Sequence, residues 1–127
     1  MSTYEVSVQG SFRAKHSVRL PDGSYEPPHQ HDWQATSTFR ASRLDDTMGV
    51  VIDFLEVEAS LKAVMAQLDG ADLNELPVFS DGRPSAERVA EHVAKALSVR
   101  LGGDRRLYRL AVTEAPGCSA AFYPGGA

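Results

Sequence analysis

The strongest constraint on the fold is a pair of alternating segments that each carry histidine at one end. In an extended strand, successive side chains point to opposite faces of the sheet. In the first segment, one face carries Val6, Val8, Phe12, Ala14 and His16. In the second segment, one face carries His29, His31, Trp33, Ala35 and Phe39. Two adjacent strands therefore turn apolar faces inward and end those faces in histidine.

This pattern predicts a metal site built from His16, His29 and His31. Three imidazoles at the end of a sheet form a ligand set for zinc, with a fourth position open for water or substrate. Three imidazoles also suit iron, nickel or copper, so the sequence does not fix the metal. His-x-His is a weak signal by itself, and the pattern leaves open that these are unrelated polar residues beside a loop.

The remaining periodicities predict an α+β fold in the order β-β-α-α-β-β. We expect strands over 3–18 and 29–42, helices over 54–68 and 86–101 capped by Asp53 and Ser85, and strands over 107–113 and 119–123. Residues 75–83 are expected to form a loop, and Gly10 marks a bulge or a close backbone approach. The two helices then cover one face of a four-stranded antiparallel sheet. We expect the other face to carry apolar side chains that an oligomer buries.

Length and charge narrow the class of protein. The 127 residues suit one domain, spanning 1–127, and the net charge of -4 argues against a nucleic-acid partner. A single cysteine excludes an intrachain disulfide. The sequence contains no signal-peptide pattern and no apolar run long enough to cross a membrane. We therefore expect a cytoplasmic protein without a membrane partner.

A set of short motifs resembles the 6-pyruvoyl-tetrahydropterin synthase and 6-carboxytetrahydropterin synthase family. The matching features are Phe12-x-Ala14-x-His16, His29-x-His31, the stretch 49–54, Leu68-Asp69, Leu73-Asn74, the stretch 84–90 and the stretch 113–116. They occur in the family's order and extend over nearly the whole chain. The resemblance implies the T-fold, in which a four-stranded sheet with two helices joins others into a ring. It also implies a homo-oligomer, usually a hexamer made of two trimers.

The resemblance assigns roles to individual residues. His16, His29 and His31 occupy the zinc-ligand positions, Glu114 occupies the position that anchors the pterin ring, and Asp69 occupies a catalytic position. A pterin presents an amino group and a ring N–H side by side, and one carboxylate accepts both. The alternative for Glu114 is a solvated carboxylate at the end of a strand.

The catalytic residues are where the chain departs from the family. In the family, zinc acidifies a C–H of the substrate, and a cysteine activated by an Asp-His pair moves the protons. That cysteine should precede the His-x-His pair, but residues 23–28 contain none, and Cys118 does not match its position. Gly70 follows Asp69 where the family has histidine. Losing a positioned proton-transfer group costs on the order of a hundredfold in rate, so we do not expect the usual synthase reaction.

Glu26 offers a different base. A branch of the family is similar in carrying glutamate three residues before the first histidine of the pair, and Glu26 has that spacing. Its alternative is a solvated residue ahead of two prolines. Three functions follow from these residues: a pterin-binding homologue without the standard reaction, an active zinc-dependent pterin lyase that uses Glu26, or an oligomeric scaffold without activity.

Overall fold

The computed structural model describes residues 2–81, 83–103 and 106–125. The elements are β1 Tyr4–His16, β2 His29–Ala41, α1 Phe54–Leu68, α2 Ala86–Arg100, β3 Leu107–Ala115 and β4 Cys118–Phe122. The sheet is antiparallel with strand order β1-β2-β3-β4. This architecture confirms the predicted α+β T-fold arrangement. The predicted domain span 1–127 and loop 75–83 each include positions outside the described ranges.

The pairing of β1 with β2 gives the sheet its buried face. The register is continuous from Tyr4 opposite Ala41 to His16 opposite His29. Trp33 is fully buried, stacks on Phe12 with ring centroids 5.7 Å apart, and donates from Nε1 to the carbonyl oxygen of Ala14 at 3.2 Å. These rings form an apolar layer directly beneath the histidine end of the two strands.

Gly10 makes the close approach that the sequence predicted, but it forms no bulge. It pairs with Ala35 within the unbroken register. A Cβ atom at this position would lie 3.1 Å from Met65 Cγ and 3.2 Å from two atoms of Leu61. Because both of those side chains belong to the core, glycine lets α1 sit close against β1.

Both helices begin at the predicted caps. The Asp53 side chain accepts from the backbone N of Leu55, and the Ser85 side chain accepts from the backbone N of Arg88. The apolar face of α1 is buried as predicted, except that Phe54 remains 48% exposed at the start of the helix. The two helices cover one face of the sheet and close the core over it.

The second face of the sheet corrects one prediction, because it is polar rather than apolar. The outward residues of β1 and β2 include Ser7, Gln9, Gln34, Thr36 and Arg40. On this face the Arg40 guanidinium lies 3.7 Å from the centroid of the Tyr108 ring. In β1 the apolar residues lie at even-numbered positions and face the core, whereas the odd-numbered positions are hydrophilic and face outward. Because the second face is polar, it gives no argument that an oligomer forms in order to bury apolar side chains.

Smaller differences concern the ends of elements. The strand predicted over 107–113 continues through Ala115, so Glu114 lies within β3. Two 3₁₀ turns, Leu73–Glu75 and Pro77–Phe79, occupy part of the region expected to be loop. Within the described residues, no helix has the length and apolar character required to cross a membrane.

Candidate metal centre

Four potential ligands converge where the three longest strands meet. The β1–β2 register sets His16 opposite His29, and His31 follows on the same face of β2. The β2–β3 register pairs Gln34 with Thr113, so Glu114 comes next along β3 beside this end of the sheet. His16, His29, His31 and Glu114 each offer one ligand atom, and these atoms all lie within 4.8 Å of one another.

Backbone carbonyl groups orient two of the imidazoles. His16 Nδ1 lies 2.7 Å from the carbonyl oxygen of Pro84, and His29 Nδ1 lies 3.1 Å from that of Pro27. Because a carbonyl oxygen only accepts, each Nδ1 must carry the hydrogen and donate it. The lone pair is then on Nε2, which is the arrangement that second-shell partners impose on histidines that bind metals.

The inward-facing atoms lack the partners that buried polar atoms require. His16 is 1% exposed, and its Nε2 lies 2.7 Å from Glu114 Oε1. With the hydrogen on Nδ1, this contact joins two acceptors, and such a contact is stable only with a proton or a cation between them. Among the described residues, neither His16 Nε2 nor His31 Nε2 has a hydrogen-bond partner. Since a single proton cannot satisfy both nitrogens, the donor set fits a metal ion.

The protonation state of His31 also favours a metal site. Burial lowers the pKa of His31, the Glu114 carboxylate partly offsets this, and the imidazoles of His29 and His16 lower the pKa further. A lowered pKa keeps the ring neutral at neutral pH, which leaves its lone pair available to a metal.

Glu26 lies beside the cluster but outside the donor set. Its Oε1 is 3.7 Å from His29 Nε2 and accepts from the backbone N of Val18 at 3.0 Å. The backbone of Glu26 is held as well, since its N donates to the carbonyl oxygen of Val18 and its carbonyl oxygen accepts from the Ser17 hydroxyl. The loop after β1 thus fixes this carboxylate next to a candidate ligand.

Asp69 is not among the four candidate ligands. It caps the C-terminus of α1, and its Oδ1 accepts from the backbone N of Arg13 at 2.9 Å. The next residues continue along the edge of β1, where Gly70 N donates to the Arg13 carbonyl oxygen and Lys15 N donates to that of Ala71. Among the described residues, Asp69 therefore stabilises the edge of β1 and is not part of the histidine cluster.

A cavity of about 520 Å³ opens beside Glu114. Glu87 and Cys118 line it together with the small residues Ala86, Ser119 and Ala120. Its volume is in the range that small-molecule sites usually have. Glu114 therefore faces both a candidate metal position and a space that can admit a ligand.

Sequence reasoning missed the groups that orient the histidines. Pro84 contributes through its backbone carbonyl, which no side-chain pattern reveals, although Pro84-Ser85 was identified as the start of a helix. The position of Glu114 inside the donor set was also missed, because it depends on the register of β3 against β2.

Comparison with known proteins relates this geometry to one family. The sequence matches the family model described as 6-pyruvoyl tetrahydropterin synthase over residues 5–125. No curated protein matches the chain. The structure of Caenorhabditis elegans 6-pyruvoyl tetrahydropterin synthase is similar with a TM-score of 0.86 at 19% identity, over 97% of this chain and 96% of that chain.

Two Plasmodium structures show the same fold. The Plasmodium falciparum 6-pyruvoyl tetrahydropterin synthase gives a TM-score of 0.74 at 22% identity, over 96% of this chain and 98% of that chain. A variant of the Plasmodium vivax enzyme, in which alanine replaces a glutamate, is described as a catalytic residue mutant. It gives a TM-score of 0.72 at 18% identity, over 96% of this chain and 98% of that chain. At these identities the comparison establishes the fold.

The orphaned nitrogens predict that His31→Ala abolishes stoichiometric zinc binding. Removing a direct ligand should weaken binding by more than the roughly 10–100-fold that loss of a second-shell partner costs. Titration with a zinc-sensitive dye measures this. His92→Ala is the matched control, because His92 is a partly buried histidine that contacts Phe79 and lies outside the group of candidate ligands. Equal zinc affinity in the two variants would contradict the assignment.

Proposed function

Because the chain belongs to the 6-pyruvoyl tetrahydropterin synthase family, we propose that it binds a pterin beside a zinc ion and transforms it without the standard cysteine. The observation that carries the proposal is the contact between His16 Nε2 and Glu114 Oε1, two acceptors 2.7 Å apart beside the orphaned nitrogen of His31. His16, His29 and His31 would hold the zinc. When bound, zinc supplies a Lewis acid that polarises a substrate oxygen.

Glu114 is the proposed anchor for the pterin ring. Its carboxylate is 25% exposed and lines the cavity beside the cluster, so part of it remains accessible to a ligand. A carboxylate can accept from the ring N–H and the exocyclic amino group of a pterin at the same time. Binding in this orientation would lay the substituent of the ring toward the histidines. Glu114 also belongs to the donor set, so the variants below are compared at equal zinc content.

Glu26 is the proposed base. Its Oε1 lies 3.7 Å from His29 Nε2, close enough to take a proton from a substrate carbon held beside that residue. A glutamate is named as a catalytic residue in the Plasmodium vivax relative, which supports the use of this residue type in the family. Glu26 would fill the role of the missing cysteine, while its bond from the Val18 backbone keeps it in place.

A second candidate function is pterin binding without turnover. Two observations favour it: the Asp69 carboxylate accepts from the backbone N of Arg13, and Gly70 carries no imidazole to complete a proton relay. In this case the site would bind the same ligand and hold it unchanged. The scaffold alternative requires no ligand at all, and the orphaned histidine nitrogens argue against it.

One pair of variants separates binding from chemistry. Glu114→Ala should weaken neopterin binding about 10–100-fold, because it removes charge-assisted hydrogen bonds to the ring. Glu26→Gln should bind neopterin normally but turn over dihydroneopterin triphosphate at a rate lower by at least about a hundredfold. Fluorescence titration measures the first change, and chromatography of pterin products measures the second.

Glu87→Ala is the control for the binding variant, because Glu87 is an exposed carboxylate lining the same cavity. It should leave neopterin binding unchanged. Pterin binding without turnover by the unmodified protein would select the second candidate. Absence of pterin binding by the zinc-loaded protein would refute both candidates and favour the scaffold.

We also propose that the chain assembles into a ring-like homo-oligomer, a hexamer made of two trimers. The edges of the sheet support this, since β1 and β4 each pair with one neighbour among the described strands. The segment after α1 covers only the end of β1 near Arg13 and Lys15. Exposed strand edges promote pairing with another chain. Pairing β1 of one copy with β4 of the next would leave the polar second face lining the ring.

Sedimentation equilibrium at micromolar concentration tests the assembly. We expect a mass of three or six times 13.8 kDa. Ser7→Pro should shift the distribution toward monomer, because the backbone N–H at odd-numbered positions of β1 points away from β2, and proline removes such a donor from the edge. A monomer for the unmodified protein under these conditions would contradict the proposal.

A further inference from the structure

An asparagine side chain pairs with the backbone at the point where β1 leaves the sheet. Asn74 Oδ1 accepts from the backbone N of Ser17 at 2.8 Å, and Asn74 Nδ2 donates to the backbone carbonyl oxygen of Ser17 at 2.8 Å. We call these two hydrogen bonds the Asn74 clasp. Ser17 is buried and directly follows His16, which is the last residue of β1 and a candidate metal ligand. The clasp therefore holds the backbone next to the candidate metal centre.

The clasp requires one donor and one acceptor on the same short side chain. An asparagine amide offers both, and the Ser17 backbone determines which end of the amide faces which group. Aspartate at this position would offer acceptors only, and leucine, which has a similar shape, would offer neither. Leu73 is fully buried in the core, so the two residues of the motif Leu73-Asn74 divide between packing and the clasp.

The segment that carries Asn74 lies along the edge of β1. The backbone N of Lys15 donates to the carbonyl oxygen of Ala71 at 3.1 Å. The backbone N of Asn74 donates to Asp72 Oδ1 at 3.1 Å, which fixes the turn from which the amide reaches the strand. Because the ends of a strand open more easily than its interior, these contacts stabilise the end that bears His16.

Ser17 also connects the clasp to Glu26. The Ser17 hydroxyl donates to the backbone carbonyl oxygen of Glu26, and the next residue, Val18, donates its backbone N to Glu26 Oε1 at 3.0 Å. The backbone N of Glu26 donates in turn to the Val18 carbonyl oxygen at 3.1 Å. These two residues therefore support the carboxylate that lies 3.7 Å from His29 Nε2.

We propose that Asn74 is a positioning residue that fixes His16 for metal binding and Glu26 for proton transfer. Among the described residues, Asn74 does not line the cavity beside Glu114, and its side-chain hydrogen bonds go to the Ser17 backbone. It therefore acts through that backbone. Its effect on His16 depends on the candidate metal centre alone. Its effect on Glu26 rests on the function proposed above, in which that carboxylate is the base.

Competition between the metal-free protein and a zinc-sensitive dye tests the effect on His16. Asn74→Leu removes both bonds of the clasp and should weaken zinc binding about 10–100-fold, the range for loss of a second-shell partner. Asn74→Asp keeps an acceptor for the Ser17 N but sets another acceptor against the Ser17 carbonyl oxygen. It should weaken zinc binding at least about threefold, toward the lower end of what one lost hydrogen bond costs.

Cobalt in place of zinc gives a second readout, because its absorption spectrum reports the geometry of the ligands. We expect the spectrum of the cobalt-loaded Asn74→Leu protein to differ from that of the unmodified protein. Ser37→Ala is the matched control. Ser37 is fully buried, and its hydroxyl donates to the carbonyl oxygen of Val8 at 2.9 Å, far along the strands from the histidines. This variant should lower the melting temperature but leave zinc affinity and the cobalt spectrum unchanged.

Unchanged zinc affinity in Asn74→Leu would overturn the proposal, and so would equal weakening by Ser37→Ala. If Asn74→Leu does not fold, Asn74→Asp decides the matter by the same criterion.

Ser17→Ala tests the effect on Glu26 separately. It removes the hydroxyl that holds the Glu26 carbonyl oxygen but keeps the backbone groups that form the clasp. We expect unchanged zinc affinity and a kcat for dihydroneopterin triphosphate that is lower by at least about tenfold at an unchanged KM, because the base would be less well placed. Unchanged kcat would refute the link to Glu26. Absence of turnover by the unmodified protein would refute the proposed reaction, whereas the zinc and cobalt results would still support or overturn the role of Asn74 at His16.

Discussion

The pairing of β1 with β2 in a register that sets His16 opposite His29 is the constraint on which the rest of the structure depends. It places three imidazoles at one end of the sheet and rests them on Trp33, whose ring lies 5.0 Å from that of His16. A slip of one residue would move every apolar side chain of β1 to the hydrophilic face. The burial of Phe12 and Trp33 therefore holds the candidate metal ligands in position as well as forming the core.

The faces of the first two strands and the starts of the helices could be predicted from the local sequence pattern. The alternation of apolar and polar residues in β1 and β2 assigned faces correctly, and Asp53 and Ser85 marked the starts of both helices. The prediction that the second face is apolar was wrong, because the sequence does not indicate how the apolar residues of β3 and β4 divide between the two faces of the sheet. Leu110 and Val112 face the helices, whereas Arg109 and Tyr123 meet on the outer side.

The candidate site was predictable only in part, because its ligands come from local pattern but their partners come from tertiary contacts. The spacing of His29 and His31 is visible in the sequence. The carbonyl of Pro84 reaches His16 across 68 positions, and Glu114 joins the donor set through the register of β3. Such contacts depend on how α2 and β3 pack.

Such contacts bring the candidate metal ligands and the proposed base into one region. The carbonyl oxygen of Pro84 orients His16, and the backbone N of Val18 holds the carboxylate of Glu26. In the proposed function, Glu26 takes the role of the family cysteine. The loop that would carry it instead holds Glu26 by its backbone and its carboxylate, next to His29.

X-ray absorption at the zinc edge of the zinc-loaded protein tests the central claim most directly, because it reports which atoms bind the metal. We expect one zinc per chain with imidazole scattering from three nitrogens at about 2.0–2.1 Å, the range for Zn–N bonds. We also expect His31→Ala to remove this signature. A sulfur ligand at about 2.3 Å would mean that Cys118 binds the zinc, and together with an absence of imidazole scattering it would contradict the account.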